Sequence, residues 1–245
     1  MSNYRQLEQQ LTSDLGLTRR PIAIGILDAP PADVTKFSGT APSGCSFWRM
    51  ASEGRTFFTV PSDHYNCAIG SHTHNMPLPP DRAKELEETL DFMGGLGYVR
   101  MEEVPGIPVL SKTPGAVVYS PLGDAPVDPD VVLFWGPASS IMLLHEAAIR
   151  AGVASGLTML GRPTCMALPA AIAMGTVASS GCVGNRVYTG AQEGELYAAV
   201  PGKDLAKVAE SAGTIQSANA KLMEYHQVRR TELTAEGIVD SRGSI

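Results

Sequence analysis

The sequence predicts an α/β or α+β domain, a mixed sheet with packed helices, with a division into two pseudo-symmetric halves as one alternative. Three observations point there. Short apolar runs bounded by breakers, such as Ile22-Ala-Ile-Gly-Ile-Leu27 and Val131-Val-Leu-Phe-Trp135, have the length and composition of buried strands. Longer segments with apolar residues every three or four positions alternate with them, which is the strand–turn–helix rhythm of a layered fold. The 245 residues fit one large domain or two intimately packed halves. A chain this long buries roughly 70–75% of its unfolded surface, so it needs no metal or disulfide merely to fold.

In chain order, residues 3–15 read as an amphipathic helix, with Leu7, Leu11 and Leu15 on one face and Gly16 as its C-cap. Residues 22–27 are a buried strand, and 28–44 a loop rich in Pro, Asp, Ser and Gly. Cys45 to Met50 begins a helix with Ser43 as N-cap. Residues 56–60 are a strand, followed by the polar loop Ser62 to Gly70. Pro79-Pro80-Asp81 opens a helix that Gly94-Gly95 stops, and a kink spans Pro105 to Pro108. Strands are expected at 116–119 and 131–135, then helices at 138–151 and 167–174. Residues 186–189 and 195–200 read as one antiparallel hairpin, because Val, Tyr and Thr favour strands. Helices at 203–212 and from 214 to about 233 close the domain. The expected organisation is a single globular domain over 1–233, divisible into halves 1–110 and 111–233, with a mobile tail at 234–245.

Composition removes several functional classes. The net charge of −6 and the lack of a basic stripe speak against a nucleic-acid partner, since Arg229-Arg230 is an isolated pair. No apolar run reaches a membrane span of about 18 residues, and the polar start lacks a signal-peptide core. A cytoplasmic protein with reduced thiols is the expectation.

Chemistry concentrates in Ser179-Ser-Gly181-Cys182-Val-Gly184-Asn185-Arg186. Gly181 and Gly184 let the backbone turn tightly or approach a guest, and Arg186 supplies positive charge that favours a Cys182 thiolate. Cys45, Cys67 and Cys165 also lie beside glycine, proline or polar loop residues. The halves echo each other: each has a strand, a loop, a cysteine, a helical stretch, and a second cysteine followed closely by glycine. The spacings are 67 − 45 = 22 and 182 − 165 = 17. Duplication would bring two cysteines from each side to a pseudo-twofold axis.

Several motifs together resemble one family. They are Leu15-Gly-Leu17, Cys45-Ser-Phe-Trp48, Asn66-Cys67-Ala-Ile-Gly70, Arg162-Pro163-Thr-Cys165, Gly181-Cys182-Val-Gly184-Asn185-Arg186, Pro201-Gly-Lys-Asp-Leu205 and Tyr225-His226-Gln-Val-Arg229-Arg230. The chain is similar over nearly its whole length to domain-of-unknown-function family 169, the uncharacterised ArCR group of archaeal and bacterial proteins. The resemblance brings no settled activity. It does imply that the cysteine-bearing segments matter, and this chain has all four.

Three readings of the thiols stand open. Four thiolates commonly hold an iron–sulfur cluster, and a 4Fe-4S centre with Cys45, Cys67, Cys165 and Cys182 as ligands and Gly181, Gly184, Asn185 and Arg186 around it is the leading one. No Cys-x-x-Cys pair exists, so structural zinc ranks lower. The cysteines could instead be small buried hydrophobes, or Cys182 or Cys67 could be a nucleophile, with Asp63-His64 near the latter. A cluster predicts that the four sulfurs converge within one cluster diameter. The function that follows is redox or small-molecule handling, as an enzyme or its accessory. Its partner is a small molecule or electron-transfer protein, and a homo-oligomer is one open assembly. His72 and His74 alternate, which on an extended segment puts both on one side. With His64 they could bind a metal, although a solvated loop is the simpler reading. His145 reads as a satisfied core or interface histidine and His226 as a surface one, while Phe47, Trp48 and Trp135 read as core aromatics able to wall a pocket. Asp204 is expected to cap the helix that follows it.

Overall fold

The computed structural model describes residues 3–155 and 159–236. Helix α1 (Tyr4–Leu15) starts on the Asn3 side chain, which accepts from the Gln6 N–H, and stops at Gly16 in the left-handed region (φ 62°). Then follow β1 (Ile22–Leu27), α2 (Cys45–Ser52), β2 (Phe57–Thr59), α3 (Ala68–Thr73), α4 (Pro80–Gly95) and β3 (Ala116–Pro121). The second half continues with β4 (Val131–Pro137), α5 (Ala138–Arg150), α6 (Ala167–Met174), β5 (Ala178–Ser180), α7 (Val183–Thr189), β6 (Glu195–Pro201) and α8 (Leu205–Ala235).

The fold is α+β. One six-stranded sheet has the order β2-β3-β1-β4-β6-β5, and every ladder in it is antiparallel. Because successive side chains of a strand point to opposite faces, the sheet's apolar runs feed two cores. Ile22, Ile24, Val131, Leu133 and Trp135 pack on one face with Phe47 and Trp48 of α2 and Ala167 and Leu168 of α6. Ala23, Val132 and Phe134 pack on the other with α1, α5 and the first turns of α8, through Leu11, Leu144 and Val208. The sheet is thus covered on both faces. Cys45 and Cys165 belong to the first core.

The strand order reads the same from either edge when β1, β2 and β3 are exchanged for β4, β5 and β6. The registers follow suit. Ile22 pairs with Pro121 as Val131 pairs with Pro201, and Phe58 pairs with Val118 as Ser179 pairs with Ala198. Beyond the ladders, Phe37 donates to the Phe58 carbonyl as Leu160 donates to that of Ser179. Leu122 donates to Pro21 as Gly202 donates to Asp130, each at 2.8 Å. That last turn requires glycine, because a Cβ on Gly202 would collide with the Pro129 carbonyl.

Several local expectations give way. Residues 186–189 are not a strand but the body of α7, which runs from the Cys182 N-cap to Gly190 in the left-handed region (φ 74°). The hairpin partner of β6 is β5, which lies inside the segment read as a loop. Helix α8 runs through Gly213 without a break, and α2 starts on Gly44 with no side-chain cap, so Ser43 is not its N-cap. Residues 234 and 235 of the expected tail belong to α8, and 237–245 lie outside the described residues.

Candidate functional site

All four cysteines stand at helix starts. Cys45 is the first residue of α2, and Cys67 and Cys182 are the N-caps of α3 and α7. Cys165 sits in the 3-10 turn Thr164–Met166 that leads into α6. Backbone N–H groups at such positions have no partner within their helix and carry partial positive charge, which suits an anionic sulfur. The Cys182 sulfur accepts from the Asn185 N–H at 3.4 Å. The Cys67 sulfur faces the N–H groups of Gly44 and Gly70. A Cβ on Gly70 would stand 2.8 Å from that sulfur, so the residue three places after Cys67 is held to glycine by close approach.

The sulfurs are mutual neighbours. Burial pushes the Cys45 thiol well above its usual 9.0, and Cys165, Cys67 and Cys182 push it further, while the Asn185 side chain works the other way. Burial also raises Cys165, helped by Cys67 and Cys182 and opposed by the Thr73 side chain. Cys67 is raised by burial and by Cys182, against the two backbone N–H groups. Each sulfur therefore feels the other three. Cys45 and Cys165 are 7% exposed, and Cys67 and Cys182 are partly exposed. As free thiols at neutral pH, the three raised groups are protonated and uncharged, which disfavours Cys45, Cys67 and Cys165 as nucleophiles. Among the described residues, no group of three or more His, Cys, Asp or Glu side chains is arranged to hold a single metal ion.

The surroundings are polar atoms in an apolar shell. Asn185 is 2% exposed and lies against Cys45 and Tyr197, yet its Nδ2 lacks a hydrogen-bond partner. Trp48 Nε1, Thr164 Oγ1 and His64 Nδ1 are buried and unpartnered as well. Trp48 packs on Tyr197 at 5.6 Å and Phe47 on Tyr119 at 5.5 Å, so α2 carries both a thiol and the aromatic wall beside it. Trp135 stacks on Tyr197 from the far side at 5.1 Å, as core.

Other expected residues go elsewhere. Arg186 donates to the Gln192 and Glu195 carbonyls, so its guanidinium staples the turn before β6. Gly181 and Gly184 have no positive φ, and a Cβ on either meets nothing within 4 Å. Asp63 accepts from the Val60 N–H at 2.8 Å and His64 pairs with Thr59 at 2.8 Å, so a Cys67–His64–Asp63 set is not assembled. His72 and His74 do not share a side, because their segment is helical: His72 is exposed and His74 is buried. His64 and His74 are not solvated either, being 2% and 3% exposed with rings 5.9 Å apart. Burial pulls the His64 imidazole well below its usual value, with His74 adding, and burial likewise lowers His74. His145 is buried and bonds Ser179 at 2.6 Å, and His226 is exposed. Asp204 makes no side-chain cap and pairs with Lys207 at 3.2 Å.

Sequence reasoning missed Gly44, Gly70 and Thr73 as the groups around the sulfurs. Only Gly70 left a trace, its place three residues after Cys67 matching that of Asn185 after Cys182. No helix among the described residues is long and apolar enough to cross a membrane. No curated protein and no solved structure matches the chain. The sequence pattern of the uncharacterised ArCR family, domain of unknown function 169, matches residues 10–211 and so takes in all four cysteine segments, and the chain belongs to that family.

Proposed function

We propose that this protein carries a cysteine-ligated iron–sulfur cluster, held by Cys45, Cys67, Cys165 and Cys182, and works in electron transfer or in redox handling of a small molecule. One observation carries the reading: four cysteines at the starts of four separate helical segments are brought together by the packing of α2 against α7 and of α3 against the Thr164–Met166 turn. Thiolates on one tetrahedral ion, with metal–sulfur bonds of about 2.3 Å, stand only about 3.8 Å apart. Ligand sulfurs on a polynuclear cluster stand farther apart, at roughly 6–7 Å. Four thiols are also the number of ligands such a cluster commonly takes. The donor set fits it as well. The N–H groups of Gly44, Gly70 and Asn185, the Thr73 hydroxyl and the unpartnered Asn185 Nδ2 all favour negative charge on sulfur, and such hydrogen bonds set a cluster's potential. Loading displaces the thiol protons, because only thiolates bind. Gly181 and Gly184 leave open space beside Cys182, and Asn185 meets Cys45. These residues form the near wall, with Arg186 holding the turn behind it.

The test is anaerobic purification with iron and sulfide analysis and an absorption spectrum. About four irons per chain and a broad charge-transfer band near 400 nm are expected for a cubane cluster. Stoichiometric zinc without iron, or no metal after reconstitution with ferrous iron and sulfide, would refute the proposal.

A further inference from the structure

The four thiols are not equivalent, and the way they differ follows the repeat in the fold. Strand order, ladder registers and the bonds flanking the ladders all match when the first half is laid on the second. The same exchange pairs the cysteines. Cys45 and Cys165 each lie between the first and second strands of their half, at or just before the start of a helix of the first core, and are 7% exposed. Cys67 and Cys182 each follow the second strand, cap a short helix, and are partly exposed. Even the sulfur contacts correspond: Cys67 faces the N–H three residues on, at Gly70, and Cys182 accepts from the N–H three residues on, at Asn185. The packing crosses between the halves in the same way, α7 against α2 and α3 against the Thr164–Met166 turn.

We infer that the centre straddles a pseudo-twofold axis, with Cys45 and Cys165 as an inner pair that anchors it and Cys67 and Cys182 as an outer pair that can be exchanged. This rests on the cluster reading above and adds where a small thiol reaches the centre. Such a thiol enters at the outer edge. Its sulfur bonds to iron as the bond from Cys67 or Cys182 breaks, and its proton passes to the released cysteine, so no electron is gained or lost. The inner pair cannot exchange, because both side chains lie within the first core and are 7% exposed.

Two measurements on the full chain test this. In the metal-free protein, iodoacetamide is expected to reach the partly exposed Cys67 and Cys182 ahead of Cys45 and Cys165, which are labelled at least tenfold more slowly than either. In reconstituted protein, Cys67→Ser and Cys182→Ser are expected to behave alike. Each keeps more than half of the wild-type iron, and 2-mercaptoethanol restores the wild-type spectrum. Cys45→Ser and Cys165→Ser are expected to lose the iron with no rescue. The far-UV circular dichroism of each variant separates lost ligation from lost fold. Labelling that does not divide into these two pairs overturns the inference, as does thiol rescue of an inner variant or its absence in both outer ones. Paired labelling in a wild type that takes up no iron defeats the cluster reading and the exchange step with it.

Discussion

Gly70→Ala is the sharpest perturbation of the thiol site. The added methyl stands 2.8 Å from the Cys67 sulfur, against roughly 3.5–4.0 Å for a comfortable contact. Gly70 is buried within α3, so the strain cannot be relieved toward solvent and either the sulfur or the helix start must move. Overpacking of this kind costs about 1–3 kcal/mol. Replacing glycine by alanine inside a helix returns about 1 kcal/mol. The net expectation is a loss of up to about 2 kcal/mol in urea unfolding, together with a larger loss of iron per folded molecule if, as proposed, the displaced sulfur is a cluster ligand. Gly184→Ala isolates the second effect. Its Cβ meets nothing within 4 Å and its φ is not positive, so stability should stay level or rise by up to about 1 kcal/mol. Any iron lost there reports on the guest and not on the fold. Full iron occupancy in a Gly70→Ala protein as stable as the wild type would refute the close-approach account of Cys67.

Three further outcomes follow from the same geometry. His64 and His74 are buried and held below their usual 6.5, so their contribution to stability is present above pH 6.5 and lost as pH falls through the folded values. Unfolding free energy should then fall by up to about 1.4 kcal/mol per pH unit for each imidazole, and a flat profile from pH 7 to 5 would contradict their burial as neutral rings. Burial raises Cys45, Cys67 and Cys165 above 9.0, so the metal-free protein should lose stability as pH climbs beyond 9.0, while iron loading tightens with pH through neutral pH and past 9.0, because the thiols stay protonated there. Alkaline titration of the metal-free chain and reconstitution at graded pH check the two halves of that statement. Arg186→Gln removes two charge-assisted bonds to the turn before β6 and should cost about 1 kcal/mol with iron retained; unchanged stability with lost iron would return Arg186 to the thiol site.

The sequence by itself determined the layered fold, because apolar runs bounded by breakers leave little choice but buried strands, and the runs read at 22–27, 116–119 and 131–135 fall in strands at the middle of the sheet or beside it. It also marked the four cysteines and hinted at the echo between halves. Local propensity misled where tertiary contacts outweighed it: Val187, Tyr188 and Thr189 favour a strand, yet a sulfur N-cap at Cys182 and a glycine stop at Gly190 make them a helix. Only the tertiary structure decided which thiols are buried and which partly exposed, that His64 and His74 are buried while His72 is not, and that Arg186 serves a turn. Those outcomes depend on residues far apart in sequence, such as Cys45 beside Asn185 and Cys165 beside Thr73. Spacing along a chain carries no record of such contacts, because the sheet that brings these segments together is assembled from both halves at once.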